Sequence, residues 1–219
     1  SQIFTPDSFE LSASRLISVL AKYRDEFGAE LAELDLGGGY AIAYVEGDKP
    51  SSAQEILSVI ATKVKAECEK ALLKIPRISI EPGRVIVGPA MVTIYKVGTT
   101  KEVSLADGTT RWYVSVDGGM SDNIRPALYE AQYSIALANR SSSAPLRKSR
   151  VVGKHCETGD IIIRDVQLPS DITPGDLLAV PATGAYGRSM ASNYNHMTRP
   201  PVICVLNGKA RSIIRRETH

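Results

Sequence analysis

The period of the apolar residues changes at about Gly88, and that change limits the possible folds more than any other feature of the chain. Ahead of it, helical and extended patterns alternate. Thr5-Pro6-Asp7-Ser8 is a helix-start cluster, Leu16, Ile17, Leu20, Tyr23 and Phe27 follow at helical spacing, and Gly28 is a stop. A short run, Leu34-Asp35-Leu36, ends in Gly37-Gly38-Gly39. Ser52-Ala53-Gln54-Glu55 has the form of a capping box, with Ile56, Ile60, Val64, Cys68 and Leu72 on one face behind it. A second short strand is expected over residues 77–80, leading into Glu81-Pro82-Gly83-Arg84. Helix, strand, helix, strand is the signature of parallel α/β layering.

Beyond Gly88 the extended runs dominate: residues 91–97, 112–116, 160–166, 177–180 and 202–206 are β-branched or aromatic. Ala106-Asp107-Gly108, Thr173-Pro174-Gly175-Asp176 and Asn207-Gly208 punctuate them as turns. Residues 140–150, rich in serine and charge, are expected to form an exposed loop, and 189–194 a short helix. The chain therefore divides into an α/β portion, residues 1–88, and a β-domain, residues 89–219. No internal repeat is visible.

Composition narrows the function classes. At 219 residues and 43% hydrophobic, the chain can bury a core. Its 26 basic and 24 acidic residues are nearly balanced and spread out, so neither a nucleic-acid nor a membrane surface is expected. The apolar runs fall short of a membrane span, and no signal peptide is visible. Cys68, Cys156 and Cys204 lie too far apart for a metal-binding pair or a disulfide framework. No metal site is predicted, and a reducing cytoplasmic compartment is the default expectation. The chain opens on Ser1-Gln2-Ile3-Phe4, without Met and already in structured-looking sequence. It is expected to be a processed chain, a shortened expression product or the ordered part of a longer protein.

Several loops carry residues suited to chemistry. Glycines after a strand, as at Gly37-Gly38-Gly39, let backbone N–H groups close on an anion, although a lone triplet is more often a tight turn. Glu81 and Arg84 flank Pro82-Gly83, and guanidinium suits phosphate or carboxylate; alone, both side chains would more often face solvent. Cys156-Glu157, inside Gly153-Lys154-His155-Cys156-Glu157-Thr158-Gly159-Asp160, places a thiol beside a carboxylate, a candidate acid and substrate anchor. A lone cysteine is more often inert and buried. His155 has no neighbouring histidine with which to hold a metal. Asp117-Gly118-Gly119-Met120 leads to Arg125-Pro126 and Tyr129, and Gly184-Ala185-Tyr186 leads to Ser189-Met190-Ala191-Ser192 and Tyr194-Asn195. Singly, none of these identifies a function.

Taken in order, these segments closely resemble the diaminopimelate decarboxylases, which share an alanine-racemase-type barrel with ornithine and arginine decarboxylases. The resemblance runs over residues 1–216. The Cys156-Glu157 and Gly184-Ala185-Tyr186 segments are specific to it; the glycine triplet and Glu81-Pro82-Gly83-Arg84 are shared more widely. It implies an α/β-plus-β fold: the C-terminal part of a (β/α)8 barrel followed by a β-sandwich or barrel-like domain. Residues 1–88 would be only the last part of the barrel, with its N-terminal half missing. It also implies pyridoxal 5'-phosphate as cofactor and decarboxylation of meso-diaminopimelate to L-lysine.

Site roles follow from the same resemblance. Gly38, Gly39, Pro82, Gly83 and Arg84 would surround the cofactor phosphate, with Ser1 also near it, and Glu81 would pair with the pyridine nitrogen. Arg84, Arg125 and Tyr129 would hold the distal carboxylate and amino end of a two-ended amino-acid substrate, and Glu157 its distant ammonium group. Cys156 would be the proton donor, Tyr186 would touch cofactor and substrate, and a homodimer would share its sites through Cys156 and Glu157. Two departures stand out. Ala41 replaces a usual glycine and is expected to strain the turn if the position needs a positive φ. No lysine has the context of a Schiff-base residue: Lys22, Lys63, Lys65 and Lys70 read as helix-surface charges, so this chain alone is expected to be inactive. A non-catalytic relative acting as a dimerisation or regulatory module, and a decarboxylase of ornithine or arginine type, are the competing readings.

Overall fold

A computed structural model describes residues 2–219. The chain divides into two compact units between Pro89 and Ala90. In the first unit, helix α1 (Asp7–Phe27) ends at Gly28 in the left-handed conformation, φ 66°, where its N–H caps Arg24 O. Helix α2 (Ala53–Lys70) starts with the predicted capping box: Ser52 Oγ accepts the Glu55 N–H, and the Glu55 carboxylate accepts the Ser52 N–H. Phe9, Ala13, Ile17 and Leu20 of α1 join Ile56, Ile60, Val64 and Cys68 of α2 in one buried core with Leu34, Leu36 and Tyr40. Each fully buried isoleucine there contributes about 1.5–3 kcal/mol.

Leu72 does not belong to that face. It is 84% exposed and at φ 53°, because α2 stops at Lys70 and the backbone reverses behind it. Ala41, expected to strain its turn, is not among the residues at positive φ and is buried instead. Lys22 and the Lys63, Lys65 and Lys70 charges do lie on the helices, with Lys63 and Lys70 both paired to Glu67. Strands β1 (Glu33–Asp35) and β2 (Arg77–Ser79) pair in parallel, so the chain leaves both at the same edge. From β1 it enters the glycine triplet; from β2 it enters Glu81 and Pro82 and then a short helix, α3 (Gly83–Val87).

The second unit contains β3 (Val92–Ser104), β4 (Thr110–Val116), α4 (Arg125–Tyr129), β5 (Ala136–Leu137), β6 (Leu146–Val152), β7 (Ile161–Pro169), β8 (Leu177–Pro181), α5 (Gly187–Met190), β9 (Val202–Leu206) and β10 (Lys209–Ile214). Six strands form a mixed sheet in the order β5-β8-β3-β4-β6-β7, with β4 and β6 parallel. Its buried side chains include Tyr95, Val97, Val114, Val116, Val151, Ile162, Leu178 and Val180. β9 and β10 form a separate hairpin turned by Asn207 and Gly208 at φ 50° and 73°, the consecutive positive values that a tight hairpin turn requires.

The stretch 140–150 is not all loop. Residues 146–152 are β6, an interior strand between β4 and β7. Ser149 and Val151 are buried, while Arg147, on the same face by alternation, is exposed near the start of the strand and lays its guanidinium 4.7 Å from the Trp112 ring centre. The charges crowd the exposed first half of the strand, and alternation begins only at Ser149. The single helix expected over 189–194 is two shorter pieces, α5 and a 3-10 turn at Tyr194–His196. Among the described residues, no helix is long and apolar enough to cross a membrane.

Candidate functional site

In the first unit the two loops at the strand ends interlock through their backbones. Glu81 N–H donates to Gly37 O at 2.8 Å, and a Cβ on Gly38 would sit 2.2 Å from Glu81 O. Only glycine lets these two segments pass. Asp35 Oδ1 accepts the Gly37 N–H at 2.7 Å, and Gly39 O accepts the Ile3 N–H at 2.8 Å. Among the described residues, the N–H groups of Gly38 and Gly39 donate to no protein acceptor. A Cβ on Gly37 or Gly83 would meet nothing within 4 Å, so the space over these turns is open. Gly83 N–H turns back onto Glu81 O at 3.0 Å. Loops beyond the carboxyl ends of parallel strands are where α/β folds place their ligands.

Arg84 is buried, 9% exposed, and donates from Nη1 to Gln2 Oε1. Gln2 Nε2 donates in turn to Ile42 O at 2.7 Å. This arginine therefore ties the chain entry to the glycine loop, a contact with no sequence signal. Glu81 is exposed beside it. Ser1, expected near the same phosphate, lies outside the described residues.

In the second unit the Cys156-Glu157 segment is shaped by a buried carboxylate. Asp160, 4% exposed, accepts the Met120 N–H at 2.7 Å and the His155 N–H at 2.8 Å. A Cβ on Gly153 would lie 2.1 Å from Asp160 Oδ2, and one on Gly119 would lie 2.6 Å from both its oxygens. Asp160 thus joins two loops that are far apart in sequence, and the missing side chains at Gly119 and Gly153 make room for it. His155 is buried, with its ring Nε2 2.9 Å from Ser121 Oγ.

Cys156 is exposed and Glu157 half-buried at the tip of this loop, with Cys156 Sγ 3.8 Å from Glu157 Oε1. Tyr194 donates its hydroxyl to the same oxygen at 2.5 Å, and its ring centre lies 5.5 Å from that of His155. That hydrogen bond, then burial and the negative charge of Glu157, hold the Tyr194 phenol above its ordinary range.

The other predicted pair in this unit is also brought together. Arg125 is buried at the start of α4; its guanidinium lies 5.2 Å from the Tyr186 ring centre, and its Nη1 donates to Tyr133 Oη. Tyr186 itself is at φ 70°, a strained value for an aromatic residue of the kind that collects at functional sites. Tyr129 lies one helical turn past Arg125 and is 62% exposed. Asp122 anchors the loop ahead of α4, accepting from Gly119 N–H at 2.7 Å and Tyr95 Oη at 2.5 Å. Burial pushes both of these groups up, and the proton sits on Tyr95. Sequence reasoning gave no role to Asp160, Tyr133, Ser121 or Tyr194. The paired glycines at 119 and 153 are the one signal that could have found Asp160.

These units provide an open glycine loop with a nearby arginine, a buried arginine among aromatic rings, and an accessible thiol–carboxylate pair. The chain belongs to the pyridoxal-dependent decarboxylases: the family model of their C-terminal sheet domain matches residues 18–184. Its relatives within that family include diaminopimelate decarboxylases. It is 51% identical over 222 residues to a diaminopimelate decarboxylase of Mycobacterium tuberculosis, covering 100% of this chain and 50% of the relative. A diaminopimelate decarboxylase from M. jannaschii, solved in co-complex with L-lysine, superposes with a TM-score of 0.90 at 29% identity, over 100% of this chain and 48% of that one. The Helicobacter pylori enzyme complexed with L-lysine gives 0.84 at 30% identity, over 100% and 50%. The chain spans about half the length of the relatives it matches, their C-terminal half.

Proposed function

We propose that this chain supplies cofactor- and substrate-binding residues of a diaminopimelate decarboxylase, which converts meso-diaminopimelate to L-lysine and carbon dioxide. The observation that carries this reading is the Cys156-Glu157 pair: Asp160 turns the rest of its loop inward and leaves a thiol and a carboxylate accessible side by side. A purely structural loop has no use for such a pair. Similarity to diaminopimelate decarboxylases along the entire chain supports the choice of substrate. The finer architecture in this reading is the C-terminal part of a (β/α)8 barrel over residues 1–88, then a β-sandwich or barrel-like domain over 89–219.

The first unit fits the phosphate of pyridoxal 5'-phosphate: the glycine turns are open, and the Gly38 and Gly39 amides face no protein acceptor among the described residues. In this reading Gly38, Gly39, Pro82 and Gly83 line the phosphate, with Arg84 holding the turn through Gln2, and Glu81 keeps the pyridine nitrogen protonated. Bound there, the cofactor supplies an electron sink for the pair released by carbon–carbon cleavage. Arg125, fixed by Tyr133 and Tyr186, and Tyr129 on the same helix take the distal carboxylate of the substrate, with Arg84 assisting. Guanidinium and carboxylate match as planar partners. Glu157 binds the ammonium at that end, and Cys156 Sγ returns a proton to carbon after carbon dioxide leaves. Cys156 and Glu157 act at the neighbouring subunit's site in a homodimer, with the cytoplasm as the compartment.

Cys156→Ala tests the reading. In the holoenzyme it should lower kcat by about 100-fold or more, as expected of a positioned acid, while the affinity for pyridoxal phosphate stays unchanged. Activity within about twofold of the wild type contradicts the proton-donor role.

A further inference from the structure

Tyr194 is exposed enough to be free, yet its hydroxyl is committed to Glu157, the carboxylate assigned above to the substrate ammonium. It is 44% exposed, and its hydroxyl makes a 2.5 Å bond to Glu157 Oε1. The same oxygen lies 3.8 Å from Cys156 Sγ. The loop that presents Tyr194 is improbable on its own: Asn195 and His196 both stand at positive φ, 54° and 57°. Such a conformation persists only where the surroundings fix it. Here the chain terminus does so. The Glu217 carboxylate accepts from Arg199 N–H at 2.8 Å, Arg199 Nε at 2.5 Å and Asn193 Nδ2 at 2.7 Å, closing both ends of the 193–199 loop. Asn193 Nδ2 also donates to Met197 O at 3.0 Å, and Ser192 N–H docks on Ser121 O at 2.9 Å. The charged or titratable groups around the Tyr194 ring are Glu157, Cys156 and His155.

We propose that Tyr194 is a positioning residue that fixes the rotamer of Glu157 for a cationic substrate end, and that Glu217 clamps the loop presenting it. The inference rests on the reading of Glu157 as the ammonium-binding group. A lone glutamate at an exposed tip samples several rotamers, and a single short hydrogen bond to one oxygen selects among them while leaving the second oxygen for the ligand. The arrangement also separates binding from chemistry: Tyr194 touches the carboxylate that holds the substrate, so its loss falls on KM.

The test is a double-mutant cycle on the holoenzyme with meso-diaminopimelate, together with an NMR titration of ring-labelled tyrosine. Tyr194→Phe should raise KM about tenfold, the size of one hydrogen bond to a charged group, and leave kcat within about twofold. The same change in a Glu157→Gln background should add nothing. Glu217→Ala, which leaves both groups in place, should raise KM in the same direction. In the titration, the resonance lost in Tyr194→Phe should titrate above the ordinary tyrosine range and move down in Glu157→Gln. An unchanged KM in Tyr194→Phe alongside a raised KM in Glu157→Gln overturns the proposal. So does a Tyr194→Phe effect of equal size in both backgrounds. If Glu157→Gln itself leaves KM unchanged, the ammonium-binding role fails, and the titration then judges the contact separately: a Tyr194 midpoint indifferent to Glu157→Gln overturns it.

Discussion

The accessible chemistry of this chain depends on side chains that never reach a ligand. Asp160 is the clearest case. Its two oxygens satisfy backbone N–H groups of Met120 and His155, and Gly119 and Gly153 have given up side chains to admit it. A buried amide without an acceptor costs about 1–3 kcal/mol. Asp160→Ala leaves two amides without an acceptor, the buried one of His155 and the half-buried one of Met120, so urea unfolding should show a loss of about 2–4 kcal/mol; an unchanged midpoint contradicts the role given to Asp160. Arg125 depends on Tyr133 and Tyr186 in the same way, and Gly38 on the path of the Glu81 backbone. The residues that could touch a ligand were legible in the sequence because they stand in short, dense segments. Those that aim them were not. Asp160 and Met120 are 40 residues apart, and no local pattern joins them.

At the scale of elements, legibility followed periodicity. Both long helices were readable from spacing, the Ser52 cap and the Gly28 stop, since each signal is local and each has one physical meaning. β6 was hidden because its exposed first half carries Arg147 and Lys148, which read as loop until the buried Ser149 and Val151 are seen between neighbours. Leu72 misled for the opposite reason: its spacing continues a helix that has already ended. The C-terminal tail contributes an element-scale clasp with a definite pH dependence. Three donors, led by the Arg199 backbone N–H and then Asn193, pull the Glu217 carboxyl down from its ordinary 4.5 to about 2. A depressed carboxyl stabilises the clasp above its unfolded value and loses that contribution as pH falls toward the folded one. The hold on the 193–199 loop should therefore be complete above pH 4.5 and fade as the pH drops to about 2. An NMR titration of the Glu217 carboxyl reads this directly, and a midpoint near 4.5 contradicts the clasp.

At the scale of the molecule there are two compact units, and the proposed reading gives them two kinds of recognition, an anion at the open glycine turns and a two-ended amino acid. The order of α/β then β elements was evident from the change of period near Gly88; the order of strands within the sheet was not, because the parallel pairing of β4 with β6 skips the intervening β5. Substrate choice is the claim on which the account turns. A carboxylate at the loop tip and a buried arginine backed by two tyrosines suit a substrate that is zwitterionic at its far end. A simple diamine precursor has no carboxylate there for Arg125 to hold, and sites built for a hydrogen-bonding group reject analogues that lack it by about 10⁴-fold or more. The direct measurement is kcat/KM of the holoenzyme for meso-diaminopimelate against ornithine and arginine, with the amino-acid product identified. The account predicts L-lysine and carbon dioxide in equal amounts from meso-diaminopimelate, and turnover of the other two lower by orders of magnitude. Comparable efficiency with ornithine or arginine, or no decarboxylation of meso-diaminopimelate, contradicts it.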